Sequence, residues 1–291
     1  MQDEERTEAL AVRDITQETL PDLSKGQGHK FDHGHALVVS GGPGKTGAAR
    51  LVARGALRIG AGLVTLACPL RAQDEIAAQV TAIMTRNIDG PSGLMELLED
   101  ARFNALCLGP GLGLTKSTAD LVRVALQTQR PIVLDADALS RFERAPEALF
   151  EQLHQNVVLT PHMGEFTRLF PDIAAAIRSG TPAAKALPDA ATRAGCTVLL
   201  KGSETVISNA NGAVSRHRAV ADRAAPWLAT AGSGDVLAGF ITGLMARGHA
   251  PVAATEAGVW LHVECALAFG PGLIAEDLPE MLPKVFRAIA P

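Results

Sequence analysis

The stretch His35-Ala36-Leu37-Val38-Val39-Ser40-Gly41-Gly42 is a short apolar run that ends at small residues. An alanine- and leucine-rich segment with helical spacing follows over 46–60. The same order recurs, with apolar runs at 63–66, 105–108, 132–134, 157–159 and 198–200, and helical patterns at 70–80, 117–129, 145–153, 164–170 and 182–194. Short apolar strands that alternate with helices predict an α/β fold: a mostly parallel central sheet with helices on both faces.

The pattern changes after Lys201. Two β-like runs, 205–208 and 213–215, flank Asn211-Gly212. This dipeptide favours a hairpin turn because both positions tolerate positive φ. Three helical stretches follow at 234–247, 251–269 and 278–289, and residues 1–30 are polar without a sustained period. Since no linker divides the chain, we expect an N-terminal arm over 1–30 and a single domain over 31–291.

Composition and charge exclude several classes of partner. The chain has 27 Lys plus Arg against 31 Asp plus Glu, and its formal net charge is −4. This mild acidity gives no reason to expect a nucleic-acid or membrane partner. The first residues, Met1 to Arg6, are charged and lack the apolar core of a signal peptide. Four scattered cysteines predict small buried side chains rather than a redox or metal site: Cys68, Cys107, Cys196 and Cys265. We therefore expect a cytoplasmic protein.

Most of the unusual residues follow the predicted strands. In open α/β sheets, ligands bind outside the carboxyl ends of the strands. Those ends carry Ser40-Gly41-Gly42, Gly109-Pro110-Gly111, Asp135-Ala136-Asp137, Thr160-Pro161-His162 and Lys201-Gly202. The sequence therefore predicts a binding site at this edge of the sheet.

The glycine-rich segment 41–49 matches no nucleotide motif in full. A Walker A loop would need a glycine at Val39, so that motif fails. Residues 42–47 fit G-x-G-x-x-G, but the acidic residue expected about 20 positions later is missing. A loop that lets a ligand approach the backbone and a purely structural tight turn both remain open here, as they do for Gly109–Gly113.

Charged residues at three strand ends are harder to explain as turns. Asp135 follows a buried run and needs a partner, such as a metal-bound water or a ligand hydroxyl, whereas Asp137 suits a helix cap. Thr160-Pro161 suits a helix N-cap and first turn, which leaves His162 and Glu165 unexplained. Two interpretations of Lys201 are open: it binds a nucleotide's phosphate or ribose, or it belongs to a surface turn.

The segment Ala231-Gly232-Ser233-Gly234-Asp235-Val236-Leu237-Ala238-Gly239 carries the strongest signal. Small residues at a helix start leave N–H groups free, and the helix dipole adds to their attraction for phosphate. A carboxylate at Asp235 can take a proton from a hydroxyl that attacks a phosphoryl group. The alternative is a glycine-rich helix start with an aspartate placed favourably against the dipole. We favour the functional interpretation because three consecutive small residues form helices poorly.

The order of these motifs resembles the ribokinase-like superfamily and, within it, the ADP/ATP-dependent NAD(P)H-hydrate dehydratases. The resemblance runs from about residue 29 to 290. It rests on His29-Lys30, Gly47-Ala48, 60–64, 109–113, 135–139, 159–165, Lys201-Gly202 and 232–239. The related thiamine-pathway kinases differ from this chain in two of these segments. Where this chain has Asp-Ala-Asp at 135–137, their pattern resembles Asp-Pro-Val, and where it has Thr-Pro-His at 160–162, their pattern resembles Thr-Pro-Asn.

This resemblance implies a reaction and a set of site residues. The reaction is dehydration of the S epimer of hydrated NADH or NADPH at the expense of ADP or ATP, with Mg²⁺ on the phosphates and no protein metal ligand assigned. Asp235 would be catalytic, and Ala48, Gly113, His162 and Asp235 would contact the hydrated nicotinamide nucleotide. The adenine nucleotide would contact Lys201, Gly202, Ser203, Glu204, Thr205 and Gly234. An NAD(P)H-hydrate epimerase is the expected functional partner, and the chain is expected to form a homo-oligomer.

Two other functions remain open from the sequence. One is a small-molecule kinase of the hydroxymethylpyrimidine or hydroxyethylthiazole type, which would stop at a stable phosphorylated product. The other is a non-catalytic nucleotide-binding module, against which the carboxylate at Asp235 counts.

Overall fold

A computed structural model describes residues 11–289 and contains one sheet of ten strands. The strands are β1 (Val12–Asp14), β2 (His35–Val39), β3 (Leu63–Cys68), β4 (Met84–Asn87), β5 (Ala105–Leu108), β6 (Ile132–Leu134), β7 (Val157–Leu159), β8 (Thr197–Leu200), β9 (Glu204–Ser208) and β10 (Val214–Arg218). Their spatial order is β1-β10-β9-β8-β7-β6-β5-β2-β3-β4. Only β9 runs against its neighbours; the other pairs in the described chain are parallel.

Helices connect the strands and cover both faces of the sheet. They are α1 (Gly47–Arg58), α2 (Gln73–Ala77), α3 (Gly90–Leu97), α4 (Lys116–Gln127), α5 (Asp137–Ser140), α6 (Glu147–Phe150), α7 (Met163–Leu169), α8 (Pro171–Arg178), α9 (Ala183–Ala194), α10 (Ser233–Ala246), α11 (Pro251–Phe269) and α12 (Asp277–Ile289). This arrangement confirms the α/β fold that the sequence predicts.

Alternate strand residues divide the core into two halves. In β2, Ala36 and Val38 pack in the half that contains α1, α10, α11 and α12. Leu37 and Val39 pack in the other half, with α4 and α7 to α9. Successive side chains of a strand point to opposite faces, so a strand covered on both sides is apolar throughout. All five residues of β2 are buried, as this geometry requires.

Helices α1 and α10 pack closely enough to bring their backbones into contact. A Cβ on Gly239 of α10 would lie 2.3 Å from the carbonyl oxygen of Val52 in α1. A side chain at this position would therefore push the helices apart. Since α1 follows the loop after β2 and α10 begins at the Gly232–Asp235 turn, this contact fixes two candidate ligand loops relative to each other.

Several elements differ from the sequence-based predictions. Residues 70–80 contain only a short helix, Gln73–Ala77, after a 3₁₀ turn, and 145–153 contain only Glu147–Phe150. The sequence did not predict β4, α3 or α8. Strand β4 lies at one edge of the sheet and has a half-exposed, polar sequence, Met84-Thr85-Arg86-Asn87. An edge strand of this kind lacks the apolar run that identifies a buried one.

The N-terminal segment and the hairpin also contain structure that the sequence analysis did not predict. Within the predicted arm, Val12–Asp14 form an edge strand parallel to β10, and Ile15 is buried. Residues 1–10 lie outside the described chain, and the domain boundary at residue 30 stays a prediction. The hairpin β9–β10 exists, but its loop spans 209–213 and only Gly212 has positive φ, at 80°. The Asn209 side chain accepts from Asn211 N and Ala213 N, so Asn211-Gly212 is not a two-residue turn.

Among the described residues, α11 alone is long and apolar enough to cross a membrane by length and composition. In its most apolar window, 67% is buried inside the protein. It packs against α10 and α12, as a core helix of this fold would.

Candidate active site

The start of α10 forms a tight turn at the carboxyl edge of the sheet. Gly232 is its N-cap residue and has φ of 86°, in the left-handed region that favours glycine. A Cβ there would also lie 2.5 Å from Leu51 Cδ1. Ser233 opens the helix, and its carbonyl oxygen accepts a hydrogen bond of 2.9 Å from His262 Nε2 in α11. The turn is therefore held from the protein interior, with its free N–H groups available to an anion.

His262 is a supporting residue that sequence reasoning missed. Burial lowers the pKa of His262 to about 4, so the ring is neutral near pH 7. A neutral ring carries its single proton on Nε2 when that nitrogen donates to a carbonyl oxygen. No local sequence pattern indicates this contact, because Ser233 and His262 lie on different helices.

Asp235 lies in the first turn of α10 and is partly buried. Burial raises the pKa of Asp235, and the negative charge of Asp135 raises it further, to about 6, although Lys201 opposes both effects. A carboxylate with a pKa near neutrality can accept a proton and still be largely ionised at pH 7. This combination of burial, charged neighbours and position at a helix N-terminus is typical of catalytic groups.

Asp135 and Lys201 form a buried ion pair beside this turn. Lys201 Nζ lies 2.9 Å from Asp135 Oδ1, and the Asp135 side chain is only 3% exposed. Burial alone would lower the pKa of Lys201, but Asp135 and the other carboxylates outweigh this and raise it. The ammonium lies 3.4 Å from the position that a Gly234 Cβ would take. The sequence analysis expected a metal-bound water or a ligand hydroxyl as the partner of Asp135. In the structure this partner is Lys201.

His162, rather than Thr160, caps α7. Its Nδ1 accepts hydrogen bonds from Gly164 N at 2.9 Å and Glu165 N at 3.3 Å. The Glu165 carboxylate accepts from His162 N at 2.9 Å, which completes a capping box. In the neutral ring the proton therefore lies on Nε2, and the side chain is 56% exposed. The predicted Thr160 cap is wrong because the chain stays extended until His162, which forms a β-bridge with Lys201.

The two glycine-rich loops pack on each other. A Cβ on Gly41 would lie 2.0 Å from the carbonyl oxygen of Gly111, and one on Gly111 would lie 3.9 Å from Ala48 Cβ. Gly113 N donates to Asp137 Oδ2 at 2.7 Å. Asp137 therefore fixes this loop and does not cap its own helix, whose N-cap is Ala136.

The predicted residues thus fall into two neighbouring groups. Ala48, in the first turn of α1, and Gly113, on the loop after β5, form one group, whereas Lys201, Gly234 and Asp235 gather with Asp135 at the start of α10. His162 adjoins the second group through its bridge to Lys201. Of the remaining predicted residues, Gly202 and Ser203 form an exposed turn, and Glu204 and Thr205 are the first, partly exposed residues of β9. Their individual contacts with ligands stay predictions.

A cavity of about 1600 Å³ lies elsewhere, between the outer face of α1, residues 17–25 and residues 79–83. None of the predicted site residues lines it. We place the candidate site at the strand ends, because the charged groups with shifted pKa values meet there. Within residues 11–289, no three histidine, cysteine or carboxylate side chains are arranged to hold a metal ion.

A mostly parallel sheet with helices on both faces, and a glycine-rich turn that opens α10 with a carboxylate in its first turn, is a ribokinase-like fold. Residues 36–284 match the family model described as NAD(P)H-hydrate dehydratase (Carb_kinase), and the chain belongs to this family.

Named relatives agree with this membership. The bifunctional NAD(P)H-hydrate repair enzyme Nnr of Moorella thermoacetica is 40% identical over 281 residues, covering 89% of this chain and 50% of that protein. The ADP-dependent (S)-NAD(P)H-hydrate dehydratase of Xanthomonas campestris pv. campestris is 34% identical over 272 residues, covering 89% of this chain and 90% of that protein. The chain thus spans about half the length of the bifunctional relative.

A solved structure shares the fold along nearly the whole chain. The ADP/ATP-dependent NAD(P)H-hydrate dehydratase of Bacillus subtilis, co-crystallized with ATP/Mg²⁺, is 26% identical. It superposes with a TM-score of 0.78, covering 97% of this chain and all of that one.

Proposed function

We propose that this chain dehydrates the S epimer of hydrated NADH or NADPH, with ADP or ATP as the phosphoryl donor. Family membership and the names of the relatives support the reaction. The observation that carries the chemistry is the position of Asp235, a carboxylate with a pKa near 6 on an anion-binding helix start, beside a buried lysine. This is a general base placed where a phosphoryl group would be bound.

The nucleotide would bind with its terminal phosphates at the Gly232–Asp235 turn. Free N–H groups and the dipole of α10 attract phosphate, and the Lys201 ammonium adds a full positive charge next to Gly234. The segment Gly202–Thr205, which leads into β9, would contact the rest of the nucleotide. Asp135 would keep Lys201 charged and in place, since the Asp135 side chain is almost fully buried and that of Lys201 is mostly so.

The chemistry follows from the poor leaving group on the hydrated ring. Asp235 would take the proton of the C6 hydroxyl as its oxygen attacks the terminal phosphorus, and the bond from phosphorus to the donor's bridging oxygen would break. ADP would thereby become AMP, or ATP would become ADP. The C6–O bond would then break with assistance from the ring nitrogen's lone pair, releasing phosphate. Loss of a C5 proton would restore the reduced nicotinamide. On this assignment His162, Gly113 and Ala48 would contact the nicotinamide side.

Mg²⁺ would be held chiefly by the phosphates, since this ion keeps several waters and usually takes one or two carboxylates. The residues present fit that role. Asp135 Oδ1 accepts a hydrogen bond from Lys201 Nζ. Asp135 Oδ2 lies 4.0 Å from the position that a Gly234 Cβ would take, next to the Gly232–Asp235 turn. When bound, the ion would neutralise charge on the transferring group.

The products distinguish this reaction from that of a kinase. Incubation with hydrated NADH, Mg²⁺ and ADP should release free phosphate and AMP. A stable phosphorylated product from a pyrimidine or thiazole alcohol, without dehydration, would support the kinase alternative instead. The proposal also includes a cytoplasmic location, a homo-oligomer, and an NAD(P)H-hydrate epimerase as functional partner, since relatives named bifunctional repair enzymes are about twice as long as this chain.

A further inference from the structure

The loop after β2 is held by a carboxylate from a different part of the chain. Glu75 in α2 accepts a hydrogen bond of 2.7 Å from Gly44 N through Oε2 and a second from Thr46 Oγ1 through Oε1. Thr46 is fully buried. The Gly44 N–H, followed by the Thr46 hydroxyl, lowers the pKa of Glu75, so the group remains an anionic acceptor near neutral pH. The two hydrogen bonds fix the residues on either side of Lys45.

Lys45 lies against the loop that follows β5. A Cβ on Gly111 would lie 2.6 Å from the carbonyl oxygen of Lys45, so the two backbones touch. The Lys45 ammonium is 4.0 Å from the position that a Gly113 Cβ would take. Within residues 11–289, no carboxylate forms an ion pair with it. Lys45 is therefore a solvent-accessible cation beside Gly113, whereas the Lys201 ammonium lies beside Gly234.

We propose that Lys45 binds a phosphate of the hydrated dinucleotide and that Glu75 is a positioning residue that holds Lys45 in place. This inference rests on the proposed function, because it assumes that the Ala48 and Gly113 loops face the hydrated substrate. The hydrated nicotinamide ring carries no charge, so the anionic groups of this substrate are its diphosphate and, in NADPH, the 2′-phosphate. The adenine nucleotide has its own cation in Lys201, at the start of α10.

Removal of the charge should weaken substrate binding alone. Lys45→Met should raise the KM for hydrated NADPH, which carries both the diphosphate and the 2′-phosphate, roughly 10-fold or more, the usual effect of losing a hydrogen bond to a charged group, with kcat within a factor of two. The Kd for ADP, measured by calorimetry, should not change. Lys185→Met, which removes an exposed lysine from α9, is the matched control and should alter none of these values. A larger effect on hydrated NADPH than on hydrated NADH assigns the contact to the 2′-phosphate; equal effects assign it to the diphosphate.

Glu75 should act only through Lys45. Glu75→Gln should raise the same KM in the wild-type background and have little further effect in Lys45→Met, because coupled residues are non-additive. Asp74→Asn, next to it on α2, is the control. An unchanged KM in Lys45→Met, a loss confined to ADP, or additive effects of the two substitutions would overturn the proposal. If wild type does not dehydrate the hydrate at all, the proposed function fails, and calorimetry with the hydrate still decides whether Lys45 binds it.

Discussion

Replacing Asp235 with asparagine should make the protein more stable and less active. The folded-state pKa of about 6 lies about 2 units above the ordinary value of 3.8. Each unit corresponds to about 1.4 kcal/mol, so the ionised carboxylate costs the folded state about 3 kcal/mol at pH 8. Asparagine has nearly the same shape and carries no charge, so it removes that cost. Turnover should nevertheless fall about 10² to 10⁴-fold, because the amide cannot accept the hydroxyl proton.

The sign of the stability change depends on pH in a defined way. Because the folded-state pKa is raised, the cost of ionisation is complete above about pH 6 and disappears below about pH 4, where the group is protonated in both states. Chemical unfolding at pH 8 and pH 5 should therefore show a gain for Asp235→Asn that is about half as large at the lower pH. Equal gains at both values, or a loss at pH 8, would refute the burial argument. Turnover within a few-fold of wild type would remove the catalytic role.

Two further substitutions test the neighbours of Asp235. His162→Ala should weaken binding of the hydrated substrate far more than binding of ADP, in separate calorimetric titrations; equal losses for both ligands would contradict the assignment of His162 to the nicotinamide side. Asp135→Asn removes a negative charge near Asp235 and frees Lys201 to stabilise its ionised form, so the acid limb of the pH profile of kcat/KM should move from about pH 6 to lower pH. A limb that stays in place or moves upward would exclude Asp235 as the titrating group.

Much of the fold is readable from the sequence because the central strands are buried on both faces. Runs such as Ala105–Leu108 and Ile132–Leu134 are apolar throughout and end at the residues that form the site. The edge strands β1 and β4 were not predicted, since they are short and partly exposed. Their pairing depends on the neighbouring strand more than on their own composition.

The candidate site was predictable as a location but not as a set of contacts. The rule that ligands bind at the carboxyl ends of strands selected Asp135, His162 and Lys201 without knowledge of their partners. The ion pair between Asp135 and Lys201, and the support given by Glu75 and His262, join residues that are far apart in the chain. Such contacts arise only when the sheet and helices are assembled, so local patterns do not reveal them.

The most direct test of the central claim follows the reduced nicotinamide chromophore, which absorbs near 340 nm. With the separated epimers of hydrated NADH, Mg²⁺ and ADP, the S epimer should regain this absorbance and release one phosphate per molecule restored. The R epimer should persist until an epimerase is added, because the proposed site, with His162 and Asp235 against the substrate, would align a single C6 hydroxyl with the phosphoryl group. Absorbance that returns without ADP, or ADP consumed without any return of absorbance, would contradict the claim.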